Sequence, residues 1–260
     1  MSVRPIMLAA VSVSLLAGWG FDAPRTIRYR VETNNEQVVD LSGLGQGEQR
    51  NSFGLVNFLT VTFDDTAGGQ TVHAVLDSIV KADTNPVPQQ ISLDSARGRT
   101  WHALLSTEGK ISNVKRIDTT SAGQIGDIIS NFFPPVKPGV KVGDQWTDTT
   151  EMTTDQEGQS LTTRTITNYS VTGTETRNGA RALRIESAFS LAQTGEINQG
   201  GGTMSVDGTG KGTAVYFVTQ DGRYLGGTSN TDASLQITAD QIPAPIPVQV
   251  VNKVTVSVLP

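Results

Sequence analysis

The chain of 260 residues contains no cysteine. A disulfide, a thiolate nucleophile and a zinc–sulfur site are therefore excluded. Histidine is nearly absent as well: His73 and His102 are the only 2, too few for a histidine-rich metal site. There is no excess of positive charge. Lysine and arginine number 20 against 25 aspartate and glutamate residues, for a net charge of −5. Nucleic-acid binding is not expected without a basic footprint. Convincing helical periodicity is also scarce, and most of the chain reads as strand and turn.

The first twenty residues differ from the rest. Arg4 is the only charge before an uncharged run from Ile6 to Phe21. A basic start before such an apolar stretch reads as a secretory signal, and the run is shorter than the ~20 residues of a comfortable membrane span. Residues 1–20 are expected to be a signal peptide or a short N-terminal anchor, and residues 21–260 a single antiparallel β domain. Gly18 and Gly20 offer small residues for cleavage, whereas in a retained anchor Trp19 would sit at the interface. Leu15-Leu16-Ala17-Gly18 resembles the lipobox of bacterial lipoproteins, but Trp19 stands where that motif needs cysteine, so lipidation fails. The expected address is the periplasm, with membrane association as the alternative.

One stretch has a helical period. Ile125, Ile128, Ile129 and Phe132 fall at i, i+3, i+4 and i+7, and Ser121 with Gln124 matches a capping box. Pro134 and Pro135 stop the pattern. Gly123 and Gly126 each cost about 1 kcal/mol relative to alanine, so the stripe must dock on something. The expectation is a short helix from Ser121, packed on the concave side of a large sheet. It either completes the core or acts as a movable lid over an apolar cavity.

Elsewhere the strand pattern dominates. Thr26 to Val31 alternates apolar and charged residues, with Arg25, Arg28 and Arg30 on a solvated face. Residues 42–50, with three glycines, read as a loop. Val56–Phe63 and Thr71–Val80 flank an Ala67-Gly68-Gly69 hairpin, and Asp64-Asp65 reads as turn chemistry rather than half a calcium site. Ile91–Arg97 suggests a second short helix. A further hairpin spans residues 98–114 around Glu108-Gly109. Leu161–Gly173 and Ala180–Leu191 pair around Asn178-Gly179, the strongest short turn signal. Met204–Gly212, Thr213–Thr219, Tyr224–Thr228 and Ser229–Thr238 follow. Pro243, Pro245 and Pro247 form an extended connector before a final strand, Val248–Leu259. The predicted fold class is mainly β: a large curved antiparallel sheet, half-barrel or barrel-like, with one short helix on its concave side.

The stretch Gly98-Arg99-Thr100-Trp101, then Glu108-Gly109-Lys110-Ile111-Ser112-Asn113-Val114, the helical stripe, the proline pair and Val140-Lys141-Val142-Gly143-Asp144-Gln145-Trp146 come in this order. That order resembles a family of exported, lipoprotein-like β proteins of bacteria. The likeness covers most of residues 98–150 and, more loosely, the strands after them. It implies no catalytic residues. Gly143-Asp144 makes a tight turn that sends Trp146 inward.

Signals for chemistry are weak. Gly208-Thr209-Gly210-Lys211-Gly212-Thr213 suggests a phosphate loop, but Gly212 stands where Ser or Thr is required, and glycines in a tightly bent strand explain it better. No G-x-S-x-G elbow occurs. Both histidines lie within strand runs, where packing or surface roles are the rule. No catalytic residue, cofactor or metal is therefore expected. Three classes of function remain. The first is a non-enzymatic cell-envelope module that binds or carries an apolar or lipid-like ligand in the concavity of a half-barrel. Its candidate lining is Trp101, Ile125, Ile128, Ile129, Phe132, Phe133 and Trp146. By fold analogy this looks like the periplasmic carriers of lipids and lipoproteins. The second is a structural or assembly subunit of a membrane-protein complex, held through residues 1–20. The third is an enzyme of unrecognised type.

Overall fold

The structure is a computed structural model, and it describes residues 25–82, 93–117, 128–137, 139–156, 159–199, 202–239 and 244–260. The expected signal segment, Ile125 and Pro243 lie outside the described residues. The strands are β1 (Arg25–Asp40), β2 (Glu48–Thr66), β3 (Gly69–Lys81), β4 (Thr100–Ser106), β5 (Ile111–Arg116), β6 (Gln145–Gln156), β7 (Gln159–Arg177), β8 (Ala180–Gln199), β9 (Gly202–Thr219), β10 (Tyr224–Ala239) and β11 (Ile246–Val258). A single helical turn, α1 (Leu93–Ala96), and a 3-10 turn at Ser42–Leu44 complete the described elements.

All eleven strands form one sheet in the order β5-β4-β3-β2-β1-β11-β10-β9-β8-β7-β6. Each neighbouring pair is antiparallel. The sheet curves but is not closed, so β5 and β6 are its two edges. β1 and β11 pair at its centre, with Val31 opposite Val256 and Val39 opposite Val248. From there, two meanders of consecutive strands run outward to the edges. The connection from β5 to β6 is different, because residues 117–144 must travel from one edge to the other.

The described part of that crossing segment, residues 128–137, packs on the core at the concave face. Ile129 is fully buried, and Phe132 and Phe133 are each 9% exposed. They join one core with Tyr29, Leu59, Val61, Phe63, Leu76, Trp101, Ile185 and Tyr224. Phe132 packs edge-on against Tyr29, with ring centroids 5.0 Å apart, and against Tyr224 at 5.7 Å; Phe133 does the same with Phe63 at 5.7 Å. Edge-to-face geometry of this kind is favourable for aromatic quadrupoles. Burying each of these side chains contributes on the order of 1.5–3 kcal/mol.

The described part of the apolar stripe, Ile128, Ile129 and Phe132, therefore docks in the concavity as expected, but it is not an α-helix. Residues 128–133 are turns and bends, with the Phe132 N–H on the Ile129 carbonyl at 3.1 Å, an i→i+3 bond. Pro134 disfavours helical geometry at Phe133, and the segment turns so that Phe132 and Phe133 both enter the core.

Most hairpins lie where the turn residues place them. Asn178 (φ 48°) and Gly179 (φ 75°) both adopt the left-handed region, as a type I′ turn requires. The strands are longer than the sequence pattern suggests. β2 begins at Glu48, inside the expected loop, and residues 204–219 form one strand rather than two. Gly208, Gly210 and Gly212 lie within β9 and serve close approach rather than phosphate. A Cβ on Gly212 would lie 2.2 Å from Phe189 Cζ, and one on Gly208 2.2 Å from Leu235 Cδ2. Neighbouring side chains lie across these glycines, as the bent-strand reading predicts.

Candidate functional site

At the mouth of the concavity lies a cleft of about 620 Å³, within the 300–1,000 Å³ range of ligand pockets. Three chain reversals and one loop surround it. They are the β2–β3 turn (Asp65, Gly69, Gln70), the β4–β5 turn (Ser106 to Gly109), the β9–β10 turn (Thr219 to Gly222) and the loop from Phe133 to Lys141. Leu105, Phe133, Leu183, Val218 and Tyr224 form its apolar floor, and Val136 and Val140 its outer wall.

Local chemistry holds these walls in place. Ser106 Oγ accepts from the Glu108 and Lys110 amides at 3.2 and 3.1 Å. Gly109 has φ 75°, and a Cβ there would fall 2.7 Å from the Pro134 carbonyl oxygen. The β4–β5 turn thus rests directly on the crossing segment. Opposite, Thr219 Oγ accepts from the Arg223 amide at 2.9 Å. The outer loop is fixed to β7 through its Gly143-Asp144 turn. The Gly143 N–H donates to the Val171 carbonyl at 2.8 Å, and the Val171 N–H to the Asp144 carbonyl at 2.9 Å. Asp144 Oδ2 also accepts from the Lys141 amide at 2.8 Å.

The rim is charged. Asp65 accepts from Gln70 Nε2 at 2.7 Å, and Asp221 pairs with Arg223 at 2.9 Å. Burial by itself would raise the Asp221 carboxyl, but the Thr219 hydroxyl and the Arg223 charge together hold it below the usual carboxylate range. Lys137 and Lys141 have no carboxylate partner among the described residues. Beneath the floor, the Tyr29 hydroxyl donates to the Tyr224 carbonyl at 2.9 Å. Burial drives the phenols of Tyr29 and Tyr224 far above their ordinary range, so both stay neutral.

Of the seven expected lining residues, Phe133 lines this cleft. Trp101, Ile129 and Phe132 are buried in the core beneath it, and Ile128 packs against that core half-buried. Trp146 enters β6 as expected and stacks on Tyr169, with centroids 4.9 Å apart and planes 11° from parallel. The remaining wall residues were not expected from the sequence. Leu183, Val218 and Tyr224 lie far along the chain from Phe133, and no sequence spacing links them. Val136 and Val140 flank Pro138-Gly139, and that apolar, basic loop was the one available signal.

No protein-family model and no curated protein matches the chain. Two solved structures align over most of its length. One is Pseudomonas aeruginosa OccK2 (OpdF) in complex with glucuronate, at 8% identity and a TM-score of 0.31, covering 90% of this chain and 98% of that chain. The other is a loop L8 deletion mutant of OmpT, an outer membrane protein of Vibrio cholerae, at 8% identity and a TM-score of 0.18, covering 90% and 100%. Scores this low establish no common fold.

Proposed function

We propose that this chain is a non-enzymatic cell-envelope module that binds an apolar or lipid-like ligand in the cleft at the mouth of its open half-barrel. One observation supports the reading: a cleft of about 620 Å³ is floored by the buried side chains of Leu105, Phe133, Leu183, Val218 and Tyr224 and flanked by two lysines, Lys137 and Lys141. A cleft of this size with an apolar lining and a few charged groups at its rim is the usual form of a ligand site. The two ammonium groups suit the polar end of an amphiphile, with its tail against the floor. The signal-like residues 1–20 and the resemblance to exported β proteins support export to the periplasm, with membrane association through that segment as the alternative.

The filled aromatic interior beneath the cleft favours a second reading, a structural or assembly subunit of a membrane complex. One experiment separates the two. Protein taken from membranes is extracted for lipid, and the purified chain is titrated with the apolar anion 1-anilinonaphthalene-8-sulfonate. Saturable binding is expected. Val140→Asp should weaken it at least about tenfold, because a carboxylate on the apolar wall costs more than ~1.4 kcal/mol. Val140 is only half-buried, so this variant should fold. No co-purifying lipid and no saturable probe binding would sink the binding reading and leave the structural one.

A further inference from the structure

The two histidines stand directly opposite each other in the β3–β4 register. Behind them, Val72, Ala74, Trp101 and Ala103 are buried, so both strands are fixed from the inside and the imidazoles face outward. The rings meet edge to face with centroids 4.6 Å apart, and His73 Nδ1 lies 2.5 Å from His102 Nε2. Nitrogens this close can share one proton, one donating and the other accepting. They can also offer two lone pairs to one cation. Metal–nitrogen bonds of about 2.0–2.1 Å in adjacent coordination positions need the nitrogens roughly 3 Å apart. Chelation therefore needs the rings to turn until both lone pairs meet at one point.

We propose that His73 and His102 form a two-nitrogen chelate for a borderline divalent cation, Zn²⁺, Ni²⁺ or Cu²⁺, with water completing the coordination shell. Imidazole selects this class over the hard Mg²⁺ and Ca²⁺. Asp64, on β2 and diagonal to His73, contributes a favourable charge, whereas Lys115, opposite His102 on β5, opposes it. No group of three or more His, Cys, Asp or Glu among the described residues is placed to hold a metal, so the pair itself must supply the affinity. Burial first, and then the neighbouring His102, hold His73 below the ordinary histidine range. A lowered value favours the neutral ring that ligation requires. The site lies on the outer face, independent of the cleft.

The chain has no cysteine and no other histidine, so tag-free protein gives a clean test. Zn²⁺ and Ni²⁺ are titrated calorimetrically at about pH 7.5 and about pH 5.5, since imidazole ligation competes with protons. One cation per chain is expected, at least about tenfold weaker at the lower pH. His73→Gln and His102→Gln should each lose at least about tenfold in affinity, since each leaves a single imidazole ligand. Zn²⁺ should raise the melting temperature of the unmodified chain only. In the unmodified chain, Ni²⁺ should broaden the NMR signals of both imidazoles together, a readout that needs no variant. Equal binding by the double Gln variant, full affinity in either single variant, or broadening of one ring alone would overturn the chelate.

Discussion

Lys110 Nζ donates to Asp148 Oδ1 at 3.1 Å, and this contact joins the two ends of the sheet. Lys110 immediately precedes edge strand β5, and Asp148 lies on edge strand β6. Among the described residues no backbone ladder connects these edges. The Lys110 side chain is 52% exposed and that of Asp148 18%. A half-exposed pair of this kind contributes about 0–1 kcal/mol. Lys110→Met should therefore shift global stability little. Its effect should be local, as faster amide exchange in residues 111–116 and 145–150 with unchanged exchange in β1 and β11. Uniform protection in the variant would show that the crossing segment alone holds the edges together.

Tyr29 ties the centre of the sheet to the floor of the cleft. Tyr29→Phe keeps the ring that packs on Phe132 but removes the donor to the Tyr224 carbonyl. The expected loss is about 1 kcal/mol in urea unfolding. A loss of several kcal/mol would mean that the hydroxyl positions the whole aromatic cluster.

Glycines at close approach should be intolerant where open ones are not. Gly212→Val must displace Phe189, and its Cβ would come within 2.4 Å of the Asn230 carbonyl oxygen. Overpacking of this kind costs about 1–3 kcal/mol. Gly47→Ala meets nothing within 4 Å and should stay within about 0.5 kcal/mol of the parent. Chemical denaturation of the two variants side by side checks the contrast.

The histidine pair gives a signed pH dependence. His73 is held below its ordinary value of 6.5, first by burial, then by His102, with Asp64 opposing. The unfolded chain therefore binds this proton more readily than the folded one, and stability rises with pH in that window. The contribution is complete above pH 6.5 and is lost as pH falls through the lowered folded-state value. His73→Gln should flatten that part of the melting-temperature profile. An unchanged slope would assign it to other groups.

Much of the fold was legible because turns are local. Asn178-Gly179 and Glu108-Gly109 each announce a reversal through backbone conformations that few other residues adopt. Strand ends were less legible. The outer halves of β8, β9 and β10 carry Thr, Ser, Gln and Gly, whose weak alternation hides a continuous ladder. Of the helical stripe, Ile129 and Phe132 are buried and Ile128 is half-buried. The geometry was not legible, because the described part turns within the core ahead of Pro134, which disfavours helix at Phe133. The cleft was not legible, since its floor joins Leu105, Leu183 and Val218, three positions brought together only by the curl of the sheet.

The sequence by itself determined an antiparallel β chain, the sites of its reversals and the apolar segment that had to be buried. Each depends on the preferences of a few adjacent residues. Tertiary structure decided that β1 pairs with β11, that the sheet stays open between β5 and β6, and that His73 meets His102. These follow from long-range register, where the energy belongs to pairs of distant strands and no local stretch of sequence contains it.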